Sequence, residues 1–289
     1  DVDRAVKAAI SGINKSLSNW ETGSEISRFN ALQSTKPVTV SMEFATIVAH
    51  AQKVHLASER QFDISLGPLI ETWGFGARGS KLSAPGDADI EMAMAKSDDL
   101  AEIVVSGNTL KKSNPESELF LSGIGKGFGV DQIAQALQSL GVKDYLVEIG
   151  GDLVTAGRNP EGLPWQIGIE TPTMATRDVQ SVIPVSNLAV ATSGDYRNYF
   201  EQDGLRYSHI LDSQTGRPVT HSTASATVLA ENAMMADAWS TAMLILGREK
   251  GLDIAERNGV AVMFLDRDEA GSGSKVLTSQ SSQYKELIA

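Results

Sequence analysis

Hydrophobic positions change period along this chain, and the changes mark out its elements. Val6, Ile10, Ile13 and Leu17 recur at helical spacing and predict an opening helix, closed by the polar turn Glu21-Thr22-Gly23-Ser24. Val38-Thr39-Val40 predicts a short strand, Met42 to Leu56 a helix, and Ile103-Val104-Val105 with Asn108-Thr109-Leu110 a hairpin. Phe62 to Gly76 follows neither period and is expected to be a glycine- and aromatic-rich loop, with Arg78 to Asp89 a polar surface excursion. Further on, Val130, Ile133, Ala134, Leu137 and Leu140 share one helical face that Gly141 stops. Alternating runs then predict strands at Tyr145–Ile149, Leu153–Ala156, Trp165–Ile169, Ser181–Val185, Ala189–Thr192, Tyr207–Leu211 and Ala226–Leu229. Two helices follow, from Ala233 to a stop at Gly247 and from Glu249 to a stop at Gly259, and then a strand from Val260 to Leu265. Strand runs and helix pairs are segregated, which predicts an α+β fold with antiparallel or mixed sheets rather than a doubly wound parallel sheet.

Composition narrows the function. With 289 residues, 42% of them hydrophobic, the chain can bury a large core as one elaborate domain or two small ones. A formal charge of −11 opposes binding to the phosphate backbone of nucleic acid. Any phosphate held here therefore needs local neutralisation, which a metal ion with one or two basic residues can supply. Cysteine is absent, which removes disulfides, thiolate nucleophiles and Cys-based zinc sites. No apolar run approaches the length that spans a bilayer. The chain opens on Asp1-Val2-Asp3-Arg4 without an initiator methionine, and a removed export signal and deliberate trimming both account for that.

The segment Leu121-Ser122-Gly123-Ile124-Gly125-Lys126-Gly127-Phe128-Gly129 places four glycines around one lysine directly before a helix. Glycines that adopt φ > 0 and free N–H groups at a helix start suit a phosphate, although a tight strand-to-helix turn with no ligand has the same composition. The P-loop requires Ser or Thr where Gly127 stands, and a Rossmann fingerprint requires glycine at Phe128. Asp237 and Thr241, four apart on a predicted helix, can offer two hard oxygens to Mg²⁺ or Ca²⁺; Asp237 also fits as an acid favoured by the dipole at the helix N-terminus. His209 stands where a strand meets the turn Ser213-Gln214-Thr215-Gly216, a place to accept a proton or to serve as a hydrogen-bonded structural residue. Trp20, Trp73, Phe75 and Tyr196 fall outside core-period stripes, where an aromatic stacks on a planar ligand or anchors packing. Glu148-Ile149-Gly150-Gly151-Asp152 and Thr192-Ser193-Gly194-Asp195-Tyr196 put a glycine turn beside an acid at a strand end. Gly-x-Ser-x-Gly is absent, so a serine hydrolase has no support.

Taken in order, these segments resemble the ApbE flavin transferases, a family of FAD:protein FMN transferases. The resemblance runs through Ser24-Glu25-Ile26-Ser27-Arg28-Phe29-Asn30, Phe62-Asp63 to Gly67-Pro68-Leu69, Trp73-Gly74-Phe75, Gly125-Lys126-Gly127, Glu148 to Asp152, Thr192 to Tyr196, His209-Ile210 with Asp212 and Thr215-Gly216, and Ala236-Asp237 with Thr241-Ala242. It implies one ApbE-like, T-fold-like α+β domain over residues 1–289. It also implies Mg²⁺-dependent transfer of FMN from FAD to a threonine hydroxyl of an acceptor protein, with release of AMP. Gly125 (through its carbonyl), Asp237 and Thr241 would hold the metal, and His209 would take the threonine proton. Trp20, Ser65, Gly67, Gly125, Lys126, Glu148, Gly150, Asp152, Ser193, Gly194, Asp195 and His209 would contact FAD. The implied acceptor is a subunit of a membrane redox complex, of the sodium-pumping quinone reductase, Rnf or nitrous-oxide-reduction regulator type. The implied setting is periplasmic, after removal of an export signal or membrane anchor. The chain departs from the family pattern in four places: Trp20 replaces a tyrosine, Phe120 an aspartate and Ile64-Ser65 a Pro-Thr pair, and the family's first strand, with its Met-Gly-Thr segment, is not in the sequence. Two other activities fit these residues: an Mg²⁺-dependent FAD pyrophosphatase and a non-catalytic FAD-binding protein.

Overall fold

A computed structural model describes residues 1–79, 83–172, 178–196, 198–268 and 276–289. Its helices are α1 (Val2–Leu17), α2 (Glu25–Ala31), α3 (Met42–Ala57), α4 (Gly67–Trp73), α5 (Asp87–Lys96), α6 (Gly125–Ser139), α7 (Ala233–Asn258) and α8 (Ser282–Ile288). Its strands are β1 (Val38–Thr39), β2 (Val104–Ser106), β3 (Thr109–Lys111), β4 (Tyr145–Ile149), β5 (Asp152–Ala156), β6 (Trp165–Glu170), β7 (Val179–Val185), β8 (Ala189–Gly194), β9 (Tyr199–Gln202), β10 (Leu205–Ser208), β11 (Thr223–Ala230), β12 (Ala261–Arg267) and β13 (Val276–Gln280). The residues group into two compact units, one of Asp1–Ile10, Ile124–Arg197 and Thr220–Ala289, the other of Ser11–Gly123 and Asn198–Val219.

The first unit is built on a six-stranded antiparallel sheet in the order β13-β12-β11-β8-β5-β4. Side chains alternate across it, so neighbours in sequence serve opposite faces. Val154, Ala189 and Ala191 pack with Val130, Ile133 and Ala134 of α6 and Ala233 and Ala236 of α7. Leu153, Val190, Leu229, Met263 and Leu265 pack instead with Ile167 and Ile183 of the β6–β7 ribbon and Tyr284 of α8. The two predicted helices after residue 233 form α7, interrupted at Gly247 (φ 70°, ψ 171°), where a Cβ would press on the His221 ring. The α7 N-terminus is capped twice: Asn232 accepts from Met235 N–H at 2.9 Å, and the Asp131 carboxylate on α6 accepts from Ala233 and Met234 N–H at 2.8 and 2.9 Å.

The second unit joins α3 to the small sheet β1-β3-β2 and packs α4 on α5. Here the structure corrects the expected loop at Phe62 to Gly76. Gly67–Trp73 is a helix, ended by Gly74 in the left-handed region (φ 80°). Trp73 is a core residue, its indole N–H donating to the Gly216 carbonyl at 2.8 Å. A stacked Phe200–Tyr207 pair, 5.1 Å between centroids, lies against it. The expected strand at Tyr207–Leu211 stops at Ser208, and Leu211 forms only an isolated bridge to Pro218. The helices α2, α5 and α8 and the strands β9 and β13 carry too few periodic positions to stand out in sequence.

Candidate functional site

The glycine-rich segment is not a loop before a helix, because Gly125, Gly127 and Gly129 lie within the first turns of α6 and none has a positive φ. Glycine is needed at 127 for closeness: a Cβ there would occupy the position of the Ala233 carbonyl and press on Asp237. That approach brings the Gly127 N–H to the Asp237 carboxylate at 3.0 Å. Gly125 opens the same helix two residues earlier, and Lys126 between them reaches the sheet.

Lys126 ion-pairs with Asp152, the first residue of β5, and its Nζ lies 3.9 Å from Asp237 Oδ1. The turn before Asp152 uses Gly150 and Gly151, both at positive φ (59° and 97°), to join β4 to β5, and Gly150 lies beside the Lys126 stem. Glu148 is exposed on β4, opposite Leu153. Burial, and then the adjacent Asp152 charge, push the Asp237 carboxyl up to about 8. Burial also raises Asp152, against the opposing pull of Lys126. Burial works against the Lys126 ammonium, yet the two carboxylates hold its pKa above the ordinary lysine value. Asp237 is thus a buried acid in the second turn of α7, and the N-terminal role its sequence position also permitted is carried by Asn232 and Asp131.

Ser193, on the helix-facing side of β8, meets α7 through hydroxyls: its Oγ lies 2.9 Å from Ser240 Oγ and 3.1 Å from Thr241 Oγ1. Asp237 and Thr241, one turn apart, therefore add a carboxylate and a hydroxyl to an all-oxygen donor set. One ammonium faces two carboxyls here, so the cluster is short of positive charge only once Asp237, pushed up to about 8, is also ionised. Among the described residues no group of three or more His, Cys, Asp or Glu is arranged around a common point. The donor chemistry fits Mg²⁺, which accepts one or two protein carboxylates and completes its shell with water and phosphate oxygens. It does not fit zinc. Gly194 packs under the Tyr196 ring, and Asp195 forms a two-pronged ion pair with Arg267 at the end of β12. Sequence reasoning missed Arg267 and Ser240, whose partners are distant in the chain or in a register that only the sheet reveals.

The second unit holds the remaining predicted residues. Trp20 is 62% exposed, with its ring 5.4 Å from that of the buried Phe120. These two rings, with Gly67, Glu71, Arg78 and Glu118, line a cavity of about 330 Å³. Gly67 packs directly on the Glu118 backbone, its N–H donating to the Glu118 carbonyl at 3.0 Å. Arg78 binds both Glu118 oxygens at 2.6 Å, and this hydrogen bonding raises its pKa. Ser65 is fully buried, its Oγ 2.6 Å from both Asp63 Oδ1 and the Asp98 carbonyl, and it is not among the residues that line the cavity. His209 follows β10, with Nδ1 2.9 Å from the Asn198 carbonyl and its ring edge-on to Phe75. A carbonyl only accepts, so the neutral ring carries its proton on Nδ1 and its lone pair on Nε2, the tautomer of a general base.

Comparison with known proteins agrees across the whole chain. A family model described as the ApbE family matches residues 2–264. A Vibrio cholerae protein named FAD:protein FMN transferase is 40% identical over 271 residues, 94% of this chain and 80% of its own. The Escherichia coli K12 protein of the same name is 35% identical over 292 residues, 100% of this chain and 82% of its own. The solved structure of apo flavinyl transferase ApbE from Pseudomonas stutzeri superposes with a TM-score of 0.89 at 38% identity, over 99% of this chain and 88% of that one. The flavin transferase ApbE of Vibrio cholerae gives 0.91 at 37% identity, over 99% and 90%. An α+β fold with antiparallel sheets, a lysine set between two buried acids and these likenesses lead to one statement: the chain belongs to the ApbE family.

Proposed function

We propose that this chain is a FAD:protein FMN transferase that moves FMN from FAD onto a threonine hydroxyl of an acceptor protein. The observation that carries the reading is the cluster of Lys126 with the buried Asp152 and Asp237 and the Ser193 and Thr241 hydroxyls, an oxygen-rich site in a chain of the ApbE family. The threonine oxygen bonds to the FMN phosphorus as the bond from that phosphorus to the AMP oxygen breaks, and the threonine proton passes to His209 Nε2. The hydrogen bond from Nδ1 to the Asn198 carbonyl supports that role, since it fixes the ring as an acceptor at Nε2. Asp237, Thr241 and the Gly125 carbonyl would hold Mg²⁺, which would supply charge neutralisation at the pyrophosphate. Lys126 contributes a fixed positive charge, and Trp20 a face for a planar ring. An acceptor of the membrane redox-complex type and a periplasmic setting belong to the same proposal.

The test is intact mass spectrometry of an acceptor domain after incubation with the protein, FAD and Mg²⁺. We expect a gain of one FMN less water, abolished by EDTA. For His209→Ala, transfer should fall about 10²–10⁴-fold while FAD still binds, the range for loss of a general base. AMP released without acceptor would replace transfer by pyrophosphatase activity. FAD bound with no AMP would leave a carrier.

A further inference from the structure

The aromatic wall of the second unit has a mounting that the proposed chemistry does not use. Trp20 lies in an exposed turn, where its N–H donates to Ser18 Oγ at 3.3 Å. The residue before it is tied much more firmly. Asn19 Nδ2 donates to the Leu119 carbonyl at 2.8 Å, and Asn19 Oδ1 accepts from the Leu121 N–H at 3.0 Å. One primary amide thus brackets Phe120 from both sides, making the two bonds that a neighbouring strand would make. The same segment is held elsewhere by Asn30, whose amide accepts from the Leu119 N–H and donates to the Leu119 carbonyl, both at 2.8 Å. Its Phe120 N–H donates to the Ile64 carbonyl at 2.7 Å. Phe120 is therefore a fixed reference, and Asn19 sets the adjacent Trp20 in register with it, 5.4 Å away.

We propose that Asn19 is a positioning residue for the ligand wall: its amide bridge to Leu119 and Leu121 holds Trp20 against Phe120 so that the wall is formed before a planar ring arrives. This rests on the reading of the Trp20 cavity as part of the FAD site. A pre-formed stacking face saves the ordering of a large side chain on binding, so the effect falls on FAD affinity and leaves the transfer step untouched. Asn19→Ala frees Trp20 to turn away, and Asn19→Asp keeps the acceptor for Leu121 N–H but loses the donor to the Leu119 carbonyl.

The experiment is a double-mutant cycle on the full chain in EDTA, with FAD affinity read by isothermal titration calorimetry and folding checked by thermal melting. Trp20→Ala should weaken FAD about tenfold, within the range for loss of one base–aromatic stack. Asn19→Ala should weaken it roughly three- to tenfold, Asn19→Asp by less, and the double variant no more than Trp20→Ala alone. With Mg²⁺ and acceptor restored, Asn19→Ala should raise KM for FAD and leave kcat unchanged. Losses that add in the double variant, or a fall in kcat at constant KM, would overturn the positioning role while the cavity reading stands. Trp20→Ala with unaltered FAD affinity would overturn the cavity reading and the positioning role with it. If Asn19→Ala melts too low to assay, Asn19→Asp carries the same cycle.

Discussion

Each unit of this molecule sets a lysine among oxygen atoms, Lys112 buried and Lys126 partly exposed, and the two lysines are pushed in opposite directions. Lys126, in the first unit, lies against Asp152 and Asp237, and their charges outweigh burial and raise its pKa. Lys112, in the second, has an Nζ 3.2 and 3.0 Å from the carbonyls of Asn30 and Leu32 and 5.0 Å from the centre of the Phe29 ring. Burial lowers it to about 8, with only weaker help from the Glu118 and Asp98 charges. Neutral carbonyls at the end of α2 satisfy its hydrogens without supplying a full negative charge. The first unit thus concentrates charge where a phosphate and a cation are proposed to react. The second uses amides, carbonyls and rings to hold shape.

The sharpest way to break this contrast is to remove Asp237. Asp237→Ala should reduce transfer by on the order of 10²–10³-fold, the usual effect of deleting one electrostatic contact at a reacting phosphate, and folding should survive. A steady-state assay of AMP release decides it, and turnover within about threefold of the parent would show that Asp237 is not part of the machinery. Gly127→Ala attacks the same cluster through packing, because its methyl group collides with the Ala233 carbonyl and with Asp237. We expect a loss of about 3 kcal/mol in urea unfolding, the upper range for overpacking a close contact. Gly141→Ala places its methyl in open space but at φ 79°, so it should cost less and leave the cluster's activity intact.

How much of this was legible in the sequence follows from the range of the interactions. The sheet core was legible because alternation is local: Ala189, Val190 and Ala191 face opposite ways within three residues. Asp237 and Thr241 were legible as a pair because one helical turn joins them. The glycines at 125, 127 and 129 suggested a loop because glycine is a poor helix former, and only the closeness of Ala233, over a hundred residues away, makes helical glycine the favourable choice. Asp195 with Arg267, Lys126 with Asp152, and Asn19 with Leu119 are paired across 72, 26 and 100 residues, where no periodicity can act. The helix at Gly67–Trp73 spans barely two turns, and its buried face is completed by residues around 90 and 211.

Exchanging each lysine for methionine sharpens the comparison further. In EDTA at pH 7, Lys126→Met should destabilise the fold by about 2 kcal/mol, since two buried carboxyls lose their cation, a loss moderated by the partial exposure of the lysine stem. Lys112→Met should change stability by under about 1 kcal/mol, because lost hydrogen bonds are offset by relief from burying an ammonium.

Lys112 also predicts a difference in slope with pH. Its folded pKa, about 8, lies below the ordinary 10.5, so between those values the unfolded chain keeps a proton that the folded chain releases. Stability therefore carries the full cost of the buried charge below pH 8 and recovers as pH rises through the window toward 10.5. Other groups titrate in the same range, and subtracting the Lys112→Met profile removes them. The parent should gain about 1–2 kcal/mol on that variant between pH 7.5 and 10, read from urea midpoints at each pH. Parallel profiles for parent and Lys112→Met would mean that the carbonyls of Asn30 and Leu32 hold the ammonium as well as carboxylates do, and the contrast between the two lysines would lose its electrostatic basis.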